Sequence, residues 1–107
     1  MGITFLEIKV CNPAAPKRSA VVKMLVDSGA SYSVVPQSVL KKLGIKATGK
    51  RSFFLANGEK TERQMGNAIF EYKGANGATP VIFGKKGDSE LLGAPGHEWT
   101  HGVRIHR

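Results

Sequence analysis

Cysteine is nearly missing from this chain: Cys11 stands alone. A single thiol excludes an intramolecular disulfide and a thiolate metal site. It fits a reducing compartment, so a cytoplasmic or similarly reducing location is expected, with Cys11 a small packing residue at a strand end. Acidic residues are also scarce, eight against sixteen Lys and Arg, which leaves a net charge of +8. Such an excess allows attraction to polyanions or acidic substrates. No basic run exceeds two residues, as in Lys17-Arg18 or Lys85-Lys86, so the charge reads as a solvated surface and no specific nucleic-acid partner is expected. No apolar run approaches the length of a membrane-spanning helix. The stretch Met1-Gly2-Ile3-Thr4-Phe5 lacks a basic region followed by a long apolar segment, so no signal peptide is expected. Repeats and low-complexity segments are absent. With 107 residues the chain is read as one domain, 1–107, with a modest core.

Against these absences stands one concentrated stretch, Met24-Leu25-Val26-Asp27-Ser28-Gly29-Ala30-Ser31, followed by Tyr32-Ser33-Val34-Val35-Pro36. An apolar, strand-like run delivers a carboxylate, a hydroxyl and a glycine in succession, then an extended pattern resumes. A strand ending in Asp-Ser-Gly puts the acid at a sharp turn, where glycine permits backbone angles or close approaches that other residues resist. Leu25, Val26, Val34 and Val35 would wall that turn. A second stretch, Glu90-Leu91-Leu92-Gly93-Ala94, places an apolar pair before another glycine.

These two stretches, in this order and in a chain this short, resemble the active-site motifs of the retropepsins, the retroviral-type aspartic proteases. The resemblance covers approximately residues 3 to 106. It implies an all-β fold, a small closed β-barrel-like acid-protease lobe with one or two short helices, working as a homodimer on an extended peptide or protein substrate. It implies Asp27 as the catalytic carboxylate, supported by Ser28, Gly29 and Ala30. Ser28 would hydrogen-bond across the dimer axis, and the Gly29 carbonyl would meet the substrate backbone. Leu91, Leu92 and Gly93 would pack beneath the active-site turn as a structural motif. A hairpin tipped by Ala56, Asn57, Gly58 and Glu59 would be the flap that closes over the substrate.

The remaining residues fit such a fold. Ile3 to Val10 reads as a strand, Asn12 to Lys17 as a turn, Ser19 to Val26 as a strand buried on both faces, and Tyr32 to Val35 as a third strand. Pro36 to Gly44 is the clearest helix, with proline at its start, two lysines near its end and a glycine stop. Lys50 to Ala56 and Glu59 to Tyr72 flank Asn57-Gly58, a strong hairpin signal, because both turn positions tolerate positive φ. Gly74-Ala75-Asn76-Gly77 reads as a turn, Thr79 to Phe83 as a strand, residues 94 to 101 as a short helix and Val103 to His106 as a final strand.

Aspartic-protease chemistry needs two carboxyl groups sharing a proton around one water, because like charges a few ångströms apart do not both ionise. This chain holds one Asp-Ser-Gly, so the second acid must come from a copy of Asp27 across a two-fold axis. No cofactor or metal is expected. The tail departs from the family: Ala94-Pro95-Gly96 is hostile to a helix where relatives carry an apolar one. That departure motivates an alternative, a non-catalytic dimerisation or peptide-binding module on the same fold. A lesser rival is zinc hydrolysis, since His97-Glu98-Trp99-Thr100-His101 matches H-E-x-x-H. The helix would be short there, and no third ligand stands at the expected place.

Overall fold

The computed structural model describes residues 3–27, 30, 32–54 and 58–93. Seven strands and one helix follow in the order β1 (Phe5–Asn12), β2 (Ala15–Val26), β3 (Ser33–Pro36), α1 (Gln37–Lys42), β4 (Gly49–Phe54), β5 (Lys60–Tyr72), β6 (Ala75–Gly84) and β7 (Leu91–Leu92). All seven belong to one sheet, ordered β1-β2-β7-β3-β6-β5-β4. A further pairing joins β1 to β5 through Lys9↔Glu71, Val10↔Phe70 and Cys11↔Ile69, so the sheet closes on itself as a ring. The all-β expectation is met, with a single short helix among the described residues.

Strand β5 makes this closure possible because its two halves do different things. Residues 60 to 64 pair only with β4, in a register running from Phe54↔Lys60 to Lys50↔Gln64, and Met65 pairs with both β4 and β6. From Met65 onward it pairs with β6 along one edge and, at 69 to 71, with β1 along the other. The second half is thus part of the ring, while the first half and β4 form a hairpin outside it. Inside the ring lie Ile8, Val10, Met24, Val35, Leu40, Phe70, Val81 and Leu92, all fully buried. Their burial is the main favourable contribution to folding.

The strand from Ser19 to Val26 differs from its expectation. Val22 and Met24 are buried, but Val21 is 66% exposed and Lys23 is exposed. It alternates, as a strand with one solvated face does. The apolar run misleads because Val21 contributes β propensity without burial. The turn expected over residues 74–77 is tighter than that: Lys73 (φ 49°) and Gly74 (φ 85°) make it, and Ala75 to Gly77 already belong to β6. Two successive positive φ values suit the twist of a two-residue hairpin.

Helix α1 ends in a complete cap. Gly44 takes φ 81°, its N–H donates to Lys41 O, and Ile45 N–H donates to Leu40 O, both at 3.0 Å. This is a Schellman arrangement, with Leu40 and Ile45 both buried beside it. The two remaining carbonyls find side chains on the first hairpin. Arg18 Nη2 donates to Lys42 O at 2.7 Å, and Asn12 Nδ2 donates to Leu43 O at 2.9 Å. Cys11, next to Asn12, is buried, and burial pushes its thiol pKa up. Among the described residues no helix is long and apolar enough to cross a membrane. The helix and strand expected after residue 93 lie outside the described residues.

Candidate active site

Strands β2 and β3 run to the two sides of the Asp-Ser-Gly turn, and β7 fills the gap between them. It pairs parallel with β2 (Leu25↔Leu91, Val26↔Leu92) and antiparallel with β3 (Val34↔Leu91). Two backbone hydrogen bonds from the end of β2 tie it to this short strand and the residue before it. Leu25 N–H donates to Glu90 O at 2.9 Å, and Asp27 N–H donates to Leu92 O at 3.0 Å. Val26 N–H donates the other way, to Thr4 O at 2.8 Å. Asp27 is half-buried at the end of β2, and its carbonyl accepts from Ala30 N–H at 3.1 Å, which closes the turn.

Gly93 holds the turn from below. A Cβ there would lie 2.6 Å from Tyr32 O and 3.0 Å from Ala30 O, so only glycine lets the two backbone segments meet. Its N–H donates to Ser33 Oγ at 3.0 Å, and Ser33 is 1% exposed. Leu92 is fully buried behind it. Leu92 and Gly93 thus meet the backbone on either side of the turn that carries Asp27, Leu92 through its carbonyl and Gly93 through its close approach to Ala30 and Tyr32. Ser28 and Gly29 lie outside the described residues, as do Ala56 and Asn57 at the hairpin tip. Gly58, at φ 88°, and Glu59 are exposed where the chain enters β5.

Beside the turn opens a pocket of about 840 Å³. Ala30, Tyr32 and Leu91 form its inner side, while Arg51, Phe53 and Arg63 bring in the β4–β5 hairpin. Tyr32 and Phe53 meet edge to face, with ring centroids 6.1 Å apart and an interplanar angle of 81°, a favoured aromatic geometry. The Arg51 guanidinium lies over the Tyr32 ring, 5.2 Å from its centroid. Arg63 is held differently: Nε donates to Asp88 Oδ2 at 2.8 Å and Nη2 to Asp88 Oδ1 at 3.1 Å. Its Nη1 donates to Thr61 Oγ1 and to Glu62 O. The guanidinium holds the Asp88 carboxyl below the usual aspartate range, and Lys85 N–H, donating at 2.8 Å, adds to that effect.

Tyr32, Arg51, Phe53, Arg63 and Asp88 were not singled out by the sequence reading. Arg51 and Phe53 carried a usable signal, since alternate residues of a strand share one face. The Arg63–Asp88 bond carried none. Among the described residues, no group of three or more His, Cys, Asp or Glu side chains is placed to hold a metal ion. His97, Glu98 and His101 lie outside the described residues.

No curated protein matches the chain. A crystal structure described as that of a retropepsin-like aspartic protease from Rickettsia conorii aligns with 100% of this chain and 91% of its own, at 22% identity and a TM-score of 0.45. A family model described as aspartyl protease matches residues 18–88, a span that takes in Asp27, most of β2, all of β3 and the β4–β5 hairpin. That span is more than half of the chain, and on it the chain belongs to the aspartyl protease family.

Proposed function

We propose that the chain is an aspartic endopeptidase whose acid pair is Asp27 and the Asp27 of a second copy. The observation that carries this reading is the fixing of the Asp27 turn from three directions, by Leu92 O, by the Ala30 amide and by the glycine-only contact of Gly93. Rigid support of one acid at a turn is what a positioned acid–base group needs. The count of acids supports the two-copy arrangement. The chain has two aspartates, Asp27 and Asp88, and Asp88 is engaged bidentately by Arg63.

In this mechanism one Asp27 carboxylate takes a proton from a water molecule, which attacks the scissile carbonyl carbon. The other Asp27, protonated, donates to the carbonyl oxygen. The tetrahedral intermediate then collapses as the amide nitrogen leaves protonated. An extended peptide would lie along the turn and beneath the β4–β5 hairpin, bonded by its main chain in the manner of an added strand. Ser28 would lock the pair across the axis, and the tip from Ala56 to Glu59 would close over the peptide.

The test is peptide cleavage by the wild type and by Asp27→Asn, together with the mass in solution at micromolar concentration. Cleavage is expected to vanish in Asp27→Asn, to be blocked by a pepstatin-type inhibitor and to survive a chelator. Excess Asp27→Asn chain is expected to suppress wild-type activity by forming mixed dimers. Equal cleavage by both proteins, or an active monomer, would overturn the mechanism. A dimer that binds peptides without cleaving them would favour the non-catalytic reading.

A further inference from the structure

The pocket beside the turn holds an uneven charge. The register of the β4–β5 hairpin sets Arg51 directly opposite Arg63, and both line the same pocket. Like charges directly opposite one another on a sheet are unfavourable. For Arg63 the structure supplies an answer. Asp88 takes two of its donors, and Thr61 and the Glu62 carbonyl take a third nitrogen. For Arg51 it supplies an aromatic face instead. The guanidinium lies over Tyr32, and among the described residues no carboxylate pairs with it. Stacking uses the flat face of the guanidinium and leaves its N–H edge able to take a carboxylate in a fork. Phe53, Val34, Ile82 and Leu91 give the same pocket an apolar wall, with Ser52, Thr61 and Ser89 also on its lining. A long side chain with an apolar stem and a charged end fits such a lining.

We propose that this pocket is a specificity subsite in which Arg51 receives the carboxylate of an acidic substrate side chain. Its stem packs on Phe53 and Tyr32, and the pocket selects glutamate over its uncharged isostere. The assignment rests on the endopeptidase reading for its substrate, and it names Arg51 as the residue that determines specificity. Asp88, the one acid among the described residues that line the pocket, does not repel this carboxylate as a bare charge would, because Arg63 neutralises it at hydrogen-bond distance. Lysine at position 51 would not replace arginine, since an ammonium offers neither the stacking plane nor the fork.

The probe is a set of fluorogenic octapeptides in which each position in turn carries Glu or Gln on a common apolar background. Wild-type protein is expected to prefer Glu at one position by about fivefold or more in kcat/KM, the range for a partly exposed charge-assisted pair. Arg51→Met keeps the length and removes the charge, and its Glu-to-Gln ratio is expected to fall to about one at that position. Lys17→Met removes the same charge from β2, so it tests whether the bulk positive field alone is responsible; its ratio is expected to match the wild type. A wild type without the preference, or an Arg51→Met chain that keeps it, overturns the subsite while leaving the peptidase reading standing. The same peptides are also measured for binding to Asp27→Asn by fluorescence anisotropy. Glu-selective binding that Arg51→Met abolishes, with no cleavage by the wild type, would support the subsite and remove the peptidase reading. Equal binding of Glu and Gln peptides there would overturn the subsite.

Discussion

Gly93 and Tyr32 meet backbone to backbone: any side-chain carbon at position 93 would lie 2.6 Å from the Tyr32 carbonyl oxygen and 2.7 Å from its carbon. Neither atom belongs to a flexible side chain, so neither can swing away. Gly93→Ala is expected to destabilise the fold by about 2–3 kcal/mol or more, as overpacking against backbone does. It should also displace the Asp27 turn. Thermal melting together with peptide cleavage checks this. Full activity at wild-type stability would show that the contact is not what holds the turn.

Ser33 gives a gentler probe of the same joint. Its hydroxyl accepts the Gly93 amide in a buried setting. Ser33→Ala leaves that amide without its partner and is expected to cost about 1–3 kcal/mol. In a domain of this size this is a fall in Tm of roughly 4–8 °C for each kcal/mol. Ser33→Thr keeps an acceptor and so separates loss of the bond from loss of volume.

The Arg63–Asp88 pair ties the hairpin to the loop before β7, and its contribution depends on pH in a known direction. The guanidinium lowers the Asp88 pKa below its ordinary 3.8. A carboxyl whose folded pKa is lowered stabilises fully above the unfolded value, and that stability is lost as pH falls through the folded value. Both side chains are mostly shielded, 14% and 28% exposed, so a contribution of about 1–2 kcal/mol is expected. Asp88→Asn should therefore lower Tm at about pH 6 and converge toward the wild type as pH falls through the folded Asp88 value, where the wild-type carboxyl becomes as uncharged as the amide. A constant difference across that range would refute the assignment.

At the end of α1, Gly44→Ala is expected to cost about 1–2 kcal/mol. The left-handed angle alone disfavours a side chain. The new carbon would also lie 2.5 Å from Arg18 Nη1, pushing the guanidinium off the Lys42 carbonyl. Urea melts of Gly44→Ala, Arg18→Met and the double variant check this. The double variant should cost less than the sum of the singles, because the two residues share one interaction.

Much of this was legible before any coordinates. Met24 to Ser31 and Leu91 to Gly93 announce themselves because apolar runs broken by glycine are local signals, and Asn57-Gly58 does the same for the hairpin. Strand ends near Pro36 and Tyr72 followed from proline, glycine and alternation, but the turn expected over Asn12 to Lys17 is only Pro13-Ala14, because Asn12 ends β1 and Ala15 to Lys17 already belong to β2. What could not be read is whatever depends on two distant segments meeting. The Arg51↔Arg63 register is set by hairpin pairing, and Asp88 reaches Arg63 only because β6 returns beside β5. Val21 misled for a related reason: its solvated position depends on which face of β2 turns toward Ile8 and Phe70, and its own identity says nothing of that.

The closure of the ring by β1 against β5 also sets an order of events. The β1–β2 hairpin can zip as soon as residue 26 is synthesised, but Val10 and Cys11 have no partner on their other edge until Ile69 and Phe70 arrive. Distant pairings of this kind slow folding, and a bare strand edge invites pairing with a neighbouring chain meanwhile. Production yield at high expression rates should therefore be governed by this late seam, and slower synthesis or lower temperature should favour recovery of correctly folded chains.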